Sequence, residues 1–324
     1  RRGEFVAELA VYDEAKRLYQ QLVRDGRKEL EDDLADLCFH KARIHLATAD
    51  GHGAFGEYDH AIAILERLVE QEGRRELTDH LATVYMNKAL AVRALGDNRG
   101  SVALCDQAIT IWERLVNQEG RSELVDALIH GYVNKANAVC AQGDNRGAVA
   151  LYDKSIAILE RLVNQEGRSE LAEYLATAYT NKAVAIGDLG DNCGAVALYD
   201  QAIAIRERLA NQDNRNELTD DLAKVYFSKA NAVCAQGDNR GAVALYDQAI
   251  AIWEQLVNNE GLIELANNLA TGFMSKATAV SALGNNRGAV ALYDQAIVIW
   301  ERLVNQEGRR ELANDLARAY MNKA

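Results

Sequence analysis

No proline occurs anywhere in the 324 residues, where average usage would supply roughly 16. Inside a helix, proline removes a hydrogen bond and clashes with the preceding turn, costing about 3 kcal/mol. Its absence therefore suits a chain that is almost entirely helix interior. Aromatic residues are scarce at 6%. No run of about 18 apolar residues exists, so no segment reads as a transmembrane helix. The five cysteines are odd in number and lack C-x-x-C spacing, which excludes a disulfide framework or a zinc ribbon. A reducing cytoplasm is the expected setting. Positive charge is also short: 36 Lys and Arg stand against 48 Asp and Glu, a net −12. That argues against nucleic-acid or anionic-membrane partners, both of which require a basic footprint. With 49% hydrophobic and 26% charged residues, the composition is that of a folded protein. The chain begins Arg1-Arg2-Gly3 without a methionine and stops at Asn322-Lys323-Ala324 within a helical pattern, as a piece of a longer protein would.

What is present in abundance is repetition. The turn Gly96-Asp97-Asn98-Arg99-Gly100 returns at Gly143, Gly190, Gly237 and Gly284, each step being 47 residues, and Ala49-Asp50-Gly51-His52-Gly53 is a decayed earlier copy. A second turn keeps the same period: Gln71-Glu72-Gly73, Gln118-Glu119-Gly120, Gln165-Glu166-Gly167 and Gln306-Glu307-Gly308. One period thus holds two segments of about 20 residues. Between Gly143 and Gly167 the apolar positions Ala148, Leu151, Tyr152, Ile156, Leu159 and Val163 line one helical face; between Gly120 and Gly143 so do Leu124, Leu128, Tyr132, Ala136 and Val139. Gly143 suits a left-handed helix end, and Asp144 or Asn145 can cap the next helix. The connecting turns allow only antiparallel packing. The expected fold is all-α, an α-solenoid of about 14 helices in antiparallel pairs, with residues 1–324 forming a single array of about seven repeats. It starts on a second-type helix and ends inside a first-type helix.

These residues resemble the tetratricopeptide repeats. The likeness rests on Tyr179-x-x-Lys182-Ala183-x-x-Ile186, continuing through Gly190-Asp191 to Ala195-x-x-x-Tyr199-x-x-Ala202, and on the same frame from Tyr132 to Ser155, Tyr226 to Ala249 and Phe273 to Ala296. The period is 47 rather than 34, as in the long-repeat relatives that include kinesin light chain. The family's proline after the second helix is missing, and its leucine position is lysine throughout: Lys41, Lys88, Lys135, Lys182, Lys229, Lys276 and Lys323. The resemblance implies a right-handed superhelix whose first helices line a concave groove.

Several columns are candidates for function. The lysines are matched by Asp13, Asp59, Asp106, Asp153, Asp200, Asp247 and Asp294 in the second helices, and a ladder of Lys–Asp pairs that fixes repeat packing is expected. Just before the lysine stand Asn87, Asn134, Asn181 and Asn322, with Asn137 and Asn231 nearby. In tetratricopeptide proteins, first-helix residues of this kind hydrogen-bond an extended peptide, for which an amide supplies both donor and acceptor. Met86, Phe227 and Met274 belong to one column that varies between copies, and His130 and Lys224 to another. Variation there fits recognition that differs from repeat to repeat, so these residues join the candidate peptide groove. A third varying column holds Leu65, Trp112, Leu159, Arg206, Trp253 and Trp300. Its tryptophans read as seam-filling between repeats, with a partner-helix site as the alternative.

Other signals carry no chemistry. Gly51-His52-Gly53-Ala54-Phe55-Gly56 matches G-x-G-x-x-G but occupies a helix–helix turn, without the strand a dinucleotide site needs. Five of the six histidines precede residue 81, and His40 and His45 are not at the i, i+4 spacing of a helical metal pair. His45, His52 and His60 cluster near one turn and read as divergence of the least regular repeats. The cysteines read as substitutions within the template. Acid pairs such as Asp220-Asp221 lie at helix starts, where the dipole favours them. No catalytic residue, metal site or cofactor is expected. The expected function is a non-catalytic scaffold that binds a protein or peptide segment in the groove. The alternative is a structural spacer or head-to-tail self-stacking array, favoured by the near-verbatim Ala-Val-Ala-Leu-Tyr-Asp at 148–153, 195–200, 242–247 and 289–294.

Overall fold

The computed structural model describes residues 2–213 and 216–324, and every regular element among them is helical. The chain divides into two compact units, Arg1–Ser155 and Ile156–Ala324. The first contains α1 (Arg2–Arg24), α2 (Glu31–Ala47), α3 (Gly51–Glu66), α4 (Thr78–Ala94), α5 (Asn98–Asn117), α6 (Val125–Ala141) and the start of α7 (Asn145–Asn164). The second contains the rest of α7 and then α8 (Ala172–Asp188), α9 (Asn192–Asp213), α10 (Asn216–Ala235), α11 (Asn239–Glu254), α12 (Ala266–Ala282), α13 (Asn286–Asn305) and α14 (Ala313–Lys323). The described residues therefore form fourteen α-helices, the number that the sequence predicts. Even-numbered helices are of the first type and odd-numbered ones of the second.

The turns explain the helix boundaries. Gly143 has φ +85°, a left-handed conformation that a Cβ would oppose. It closes α6: the Asp144 amide reaches back to the Val139 carbonyl at 3.2 Å, and the Gly143 amide to that of Cys140 at 2.8 Å. Asp144 Oδ1 then accepts the Gly147 amide at 2.9 Å and caps α7. Asp97, Asp191, Asp238 and Asn285 cap their helices in the same way. The second turn contains a feature that periodicity did not reveal. A three-residue 3₁₀ turn, such as Ser122–Leu124 or Ser169–Leu171, precedes the first-type helix. Leu124 and Leu171 of these two turns are buried, and turns of this kind leave α2, α4, α6, α8 and α12 with 17 residues each. In α3 and α11 the helix runs on into a single π turn, Arg67–Gln71 and Gln255–Asn259.

Alanines let the paired helices approach closely. Ala89 and Ala108 in the first unit, and Ala230, Ala249, Ala277 and Ala296 in the second, are fully buried. Tyr152, Trp253 and Trp300 fill the larger spaces between helices. Where native packing density is reached in this way, even one methylene is felt.

Candidate functional site

Each seam between a second-type helix and the next first-type helix carries polar ties. Lys88 pairs with Asp59 and Lys276 with Asp247. Lys135 Nζ lies 2.5 Å from Asp106, Lys229 Nζ 2.5 Å from Asp200, and Lys323 Nζ 2.5 Å from Asp294. Lys182 and Asp153 continue the same columns on α8 and α7. The lysine stems are covered while the aspartates remain half exposed, so each pair is worth about 0–1 kcal/mol.

Two further ties escaped the sequence analysis. Tyr85, Tyr132, Tyr179 and Tyr226 each donate Oη to a glutamate 19 residues earlier: Glu66, Glu113, Glu160 and Glu207. Tyr320 does the same to Glu301 at 2.5 Å. Burial, then the neighbouring carboxylate, pushes the pKa of these buried phenols up from 10.0. The other tie runs from the column of large residues on the second-type helix back to the first-type helix that precedes it. Trp112 Nε1 donates to Asp79 at 2.8 Å, Trp253 to Asp220 at 2.9 Å and Trp300 to Asn267 at 2.9 Å. Arg206 fills the same column and donates to Glu173 through Nε and Nη2, at 3.0 and 2.7 Å. Asp220 is a correction: it is the fifth residue of α10 rather than its start, past the first turn where the helix dipole acts, and it serves as the acceptor for a buried indole. Trp253 is 2% exposed and Trp300 fully buried, which overturns the reading of this stripe as a partner-helix site. The sequence signal was the fixed 33-residue offset between indole and acid.

The candidate groove residues separate into distinct groups. Met86 is a correction: it is only 6% exposed and its sulfur meets Cys105 Sγ at 4.0 Å, so it belongs to the core. Asn137 Oδ1 accepts the Tyr152 hydroxyl at 2.5 Å, and Asn231 Oδ1 that of Tyr246 at 2.6 Å. These two amides satisfy buried phenols. Asn87 turns its amide back to the Thr83 carbonyl at 2.9 Å, and the Asn134 amide lies 3.9 Å from the Met86 sulfur. Asn181 and His130 are half-buried, on α8 and α6, and Asn322 is exposed on α14. Met274 is half-buried against Ala277, Val280, Ala289 and Tyr293.

In the second unit the structure brings several candidates together. Lys224, Phe227 and Ser228 of α10, with Trp253 of α11 and Asn268 and Thr271 of α12, line a cleft of about 180 Å³. Phe227 rests against Tyr246 and Trp253, with ring centroids 5.6 and 5.8 Å away. Lys224 is half exposed and held by Asp220 at 2.7 Å and Asp221 at 3.1 Å. Ser228 also lines a second cleft, of about 320 Å³, which includes Val184, Asp188, Asn192 and Asn231. A third, apolar cleft of about 360 Å³ includes Val257, Leu269, Phe273, Val298 and Ile299, and none of the groove candidates. It lies where Phe273 lacks the hydroxyl that its sister tyrosines direct to glutamate, and Glu254, in the column of those glutamates, lines it too. Burial pushes the Cys105 thiol up to about 11, away from thiolate reactivity.

Stacked antiparallel helix pairs, closed by the same capped turns and tied by the same seam bonds, define a helical-repeat protein. Five segments, residues 81–121, 129–167, 175–216, 228–261 and 269–308, match the tetratricopeptide repeat. They make up more than half of the chain, and the chain belongs to that family. No curated protein matches it by sequence. Among solved structures, BtubC (BKLC) from P. vanneervenii is similar with a TM-score of 0.61 and 20% identity, over 77% of this chain and 91% of that one. A putative kinesin light chain with nearly identical TPR-like repeats from Podosopora anserina aligns with a TM-score of 0.55 and 21% identity, over 70% of this chain and 98% of that one. The apo form of RapI gives 0.57 and 15%, over 89% of this chain and 97% of that one. At such identities the likeness is one of fold. Repeats of this family are in general non-catalytic interaction scaffolds. No helix among the described residues is long and apolar enough to cross a membrane.

Proposed function

We propose that the chain is a non-catalytic scaffold that binds an extended peptide segment along its first-type helices, in a groove whose centre is α10. The observation that carries this reading is that Ser228 lines two adjoining clefts, one with Lys224 and Phe227 and the other with Asn231. A peptide lying across α10 meets a cation, an aromatic face and amide groups in succession, a mixture that can hold backbone and side chains together. Lys224 already shares its charge with two aspartates, so an acidic peptide group would compete with them. The 47-residue frame runs through both units, which supports a single array from residue 1 to 324. A reducing, cytoplasmic setting belongs to the same reading, supported by five free cysteines, and the net −12 charge argues against nucleic acid and anionic membranes.

A displayed-peptide selection on the parent chain, counter-selected against the double variant Lys224→Ala, Phe227→Ala, tests this. Peptides that bind the parent alone support the α10 groove. Peptides that bind both equally move recognition elsewhere, and the Asn87, Asn134 and Asn181 positions are then the next to change. No enrichment favours the spacer reading, for which the near-verbatim repeat copies speak.

A further inference from the structure

The first repeat departs from its own template three times at one place. Every later copy has an aromatic in the column of Cys38, such as Tyr85, a leucine in that of Glu57, such as Leu104, and Gln or Lys in that of His60, such as Gln107. Cys38 lies on α2, and Glu57 and His60 on α3. The helix pair brings them together: one donor atom from each lies within 4.8 Å of the others, and Cys38 Sγ is 3.6 Å from His60 Nδ1. Among the described residues this is the one place where three such groups converge with that spacing.

We propose that Cys38, Glu57 and His60 form a binding site for a divalent transition-metal ion of the zinc type. Two tetrahedral ligands at Zn–S and Zn–N bond lengths of about 2.3 and 2.0 Å stand about 3.5 Å apart, close to the separation found between Cys38 and His60. Thiolate, imidazole and carboxylate together are the donor set of zinc rather than of magnesium or calcium. Cys38 is fully buried and Glu57 is 8% exposed, while His60 is half-buried and opens the approach. Binding replaces the Cys38 thiol proton with the metal and releases that proton to solvent. Water completes the fourth position.

Two ammonium groups define what the ion must displace. Lys16 Nζ of α1 lies 2.5 Å from Glu57 Oε2, and Lys41 Nζ lies 2.7 Å from Glu57 Oε1 and 2.6 Å from Asp13. Lys16 is partly exposed, at 17%, and withdraws to solvent as the ion takes Oε2; Lys41 keeps Asp13. The bound ion then joins α2 to α3 where the aromatic anchor of later repeats is missing.

The test is titration of the chelator-treated chain with Co2+, followed by thiolate-to-cobalt charge-transfer absorption and by competition with Zn2+. The expected result is one saturable equivalent with an intense charge-transfer band. That band is abolished by Cys38→Tyr and by His60→Gln, each of which restores the residue of later repeats. Lys16→Ala is expected to tighten binding several-fold by removing the competing ammonium. Absence of the band in the parent overturns the proposal, as does an unchanged band in His60→Gln. Should Cys38→Tyr fail to fold, as judged by circular dichroism, His60→Gln alone decides, because its side chain is at the half-exposed edge. Zn2+ should also raise the parent's Tm and leave that of His60→Gln unchanged.

Discussion

The repeats around α10 to α13 and the first helix pair share one frame but are held by different chemistry. In the former, large aromatics close the seam and donate hydrogen bonds: Trp253 to Asp220, Trp300 to Asn267 and Tyr226 to Glu207. Around α2 and α3, Leu65 and Cys38 take those columns, and charges replace the donors, with Lys16 and Lys41 gathered on Glu57. Beside the Lys–Asp pairs common to both regions, one backbone frame therefore accepts either aromatic donors or additional charges, provided that buried polar atoms find partners. One exception is instructive. Tyr152 and Tyr246 give their hydroxyls to Asn137 and Asn231, but Tyr58 has Arg43 where those asparagines stand, and its buried hydroxyl has no partner. Arg43 instead lies over the Phe39 ring, 5.9 Å from its centroid.

The largest expected effect follows from breaking the aromatic seam. Trp253→Ala should cost about 3–5 kcal/mol, because it opens a cavity in packed surroundings and takes the indole donor from Asp220. The neighbouring sequence contains a compensation. A Cβ on Gly272 would lie 3.0 Å from Ile250 and 3.2 Å from Trp253, and one on Gly131 3.0 Å from Ile109 and 3.4 Å from Trp112. Where the large residue is Leu65 or Leu159, the equivalent small position holds Val84 or Ala178. Trp253→Leu combined with Gly272→Ala therefore recreates a pairing that the chain already uses. Urea denaturation should place it well above Trp253→Ala in midpoint.

Next comes the tyrosine ladder. Tyr226→Phe should lower stability by about 1–2 kcal/mol, the scale of a hydrogen bond to a charged group. Phe273→Tyr should raise it by supplying Glu254 with the missing donor. The pH dependence has a definite sign. The Tyr226 pKa is raised above its ordinary 10.0 in the folded state, so the folded chain holds its proton more tightly than the unfolded one. This stabilisation is complete below about pH 10 and is lost as pH rises through the folded value. Denaturation midpoints measured from pH 9 upward should fall less steeply in Tyr226→Phe than in the parent.

A smaller effect belongs to the decayed turn. Ala49 stands where the other copies have glycine and adopts φ +62°, which costs a residue with a Cβ about 1 kcal/mol or more. Ala49→Gly should raise Tm by the corresponding amount, and Gly143→Ala should lower it for the same reason.

Turns, caps and helix count were legible in the sequence because their causes are local. A glycine with positive φ and an Asp or Asn side chain three residues from the amide it caps are short-range facts that recur every 47 residues. Seam bonds were legible only where charge made them visible, as in the Lys and Asp columns. The Trp–Asp and Tyr–Glu bonds join residues 33 and 19 apart, and each partner had a sufficient local explanation as core aromatic or helix-start acid. Met86 misled for a related reason. It packs against Cys105, which stands where the other copies have tyrosine, and a column that varies inside the core looks the same in sequence as one that varies on a groove. Cys38, Glu57 and His60 are separated by a capped turn, so only the packing of α2 on α3 brings them together.

The smallest effect sharpens the comparison between ionic seams. Lys229→Ala removes a pair whose aspartate is 56% exposed, so solvent screening limits the loss to less than about 1 kcal/mol, and added salt should weaken it further. Lys41 has the same place in the first repeat but is only 7% exposed and serves both Asp13 and Glu57. Its removal leaves a buried carboxylate dependent on Lys16 alone. Lys41→Ala should therefore cost more than Lys229→Ala, and its cost should change little between low and high salt, since ions reach a buried pair poorly. Equal losses with equal salt dependence would mean that the first seam is as solvated as the later ones, and that the difference in chemistry between the two regions has no energetic consequence.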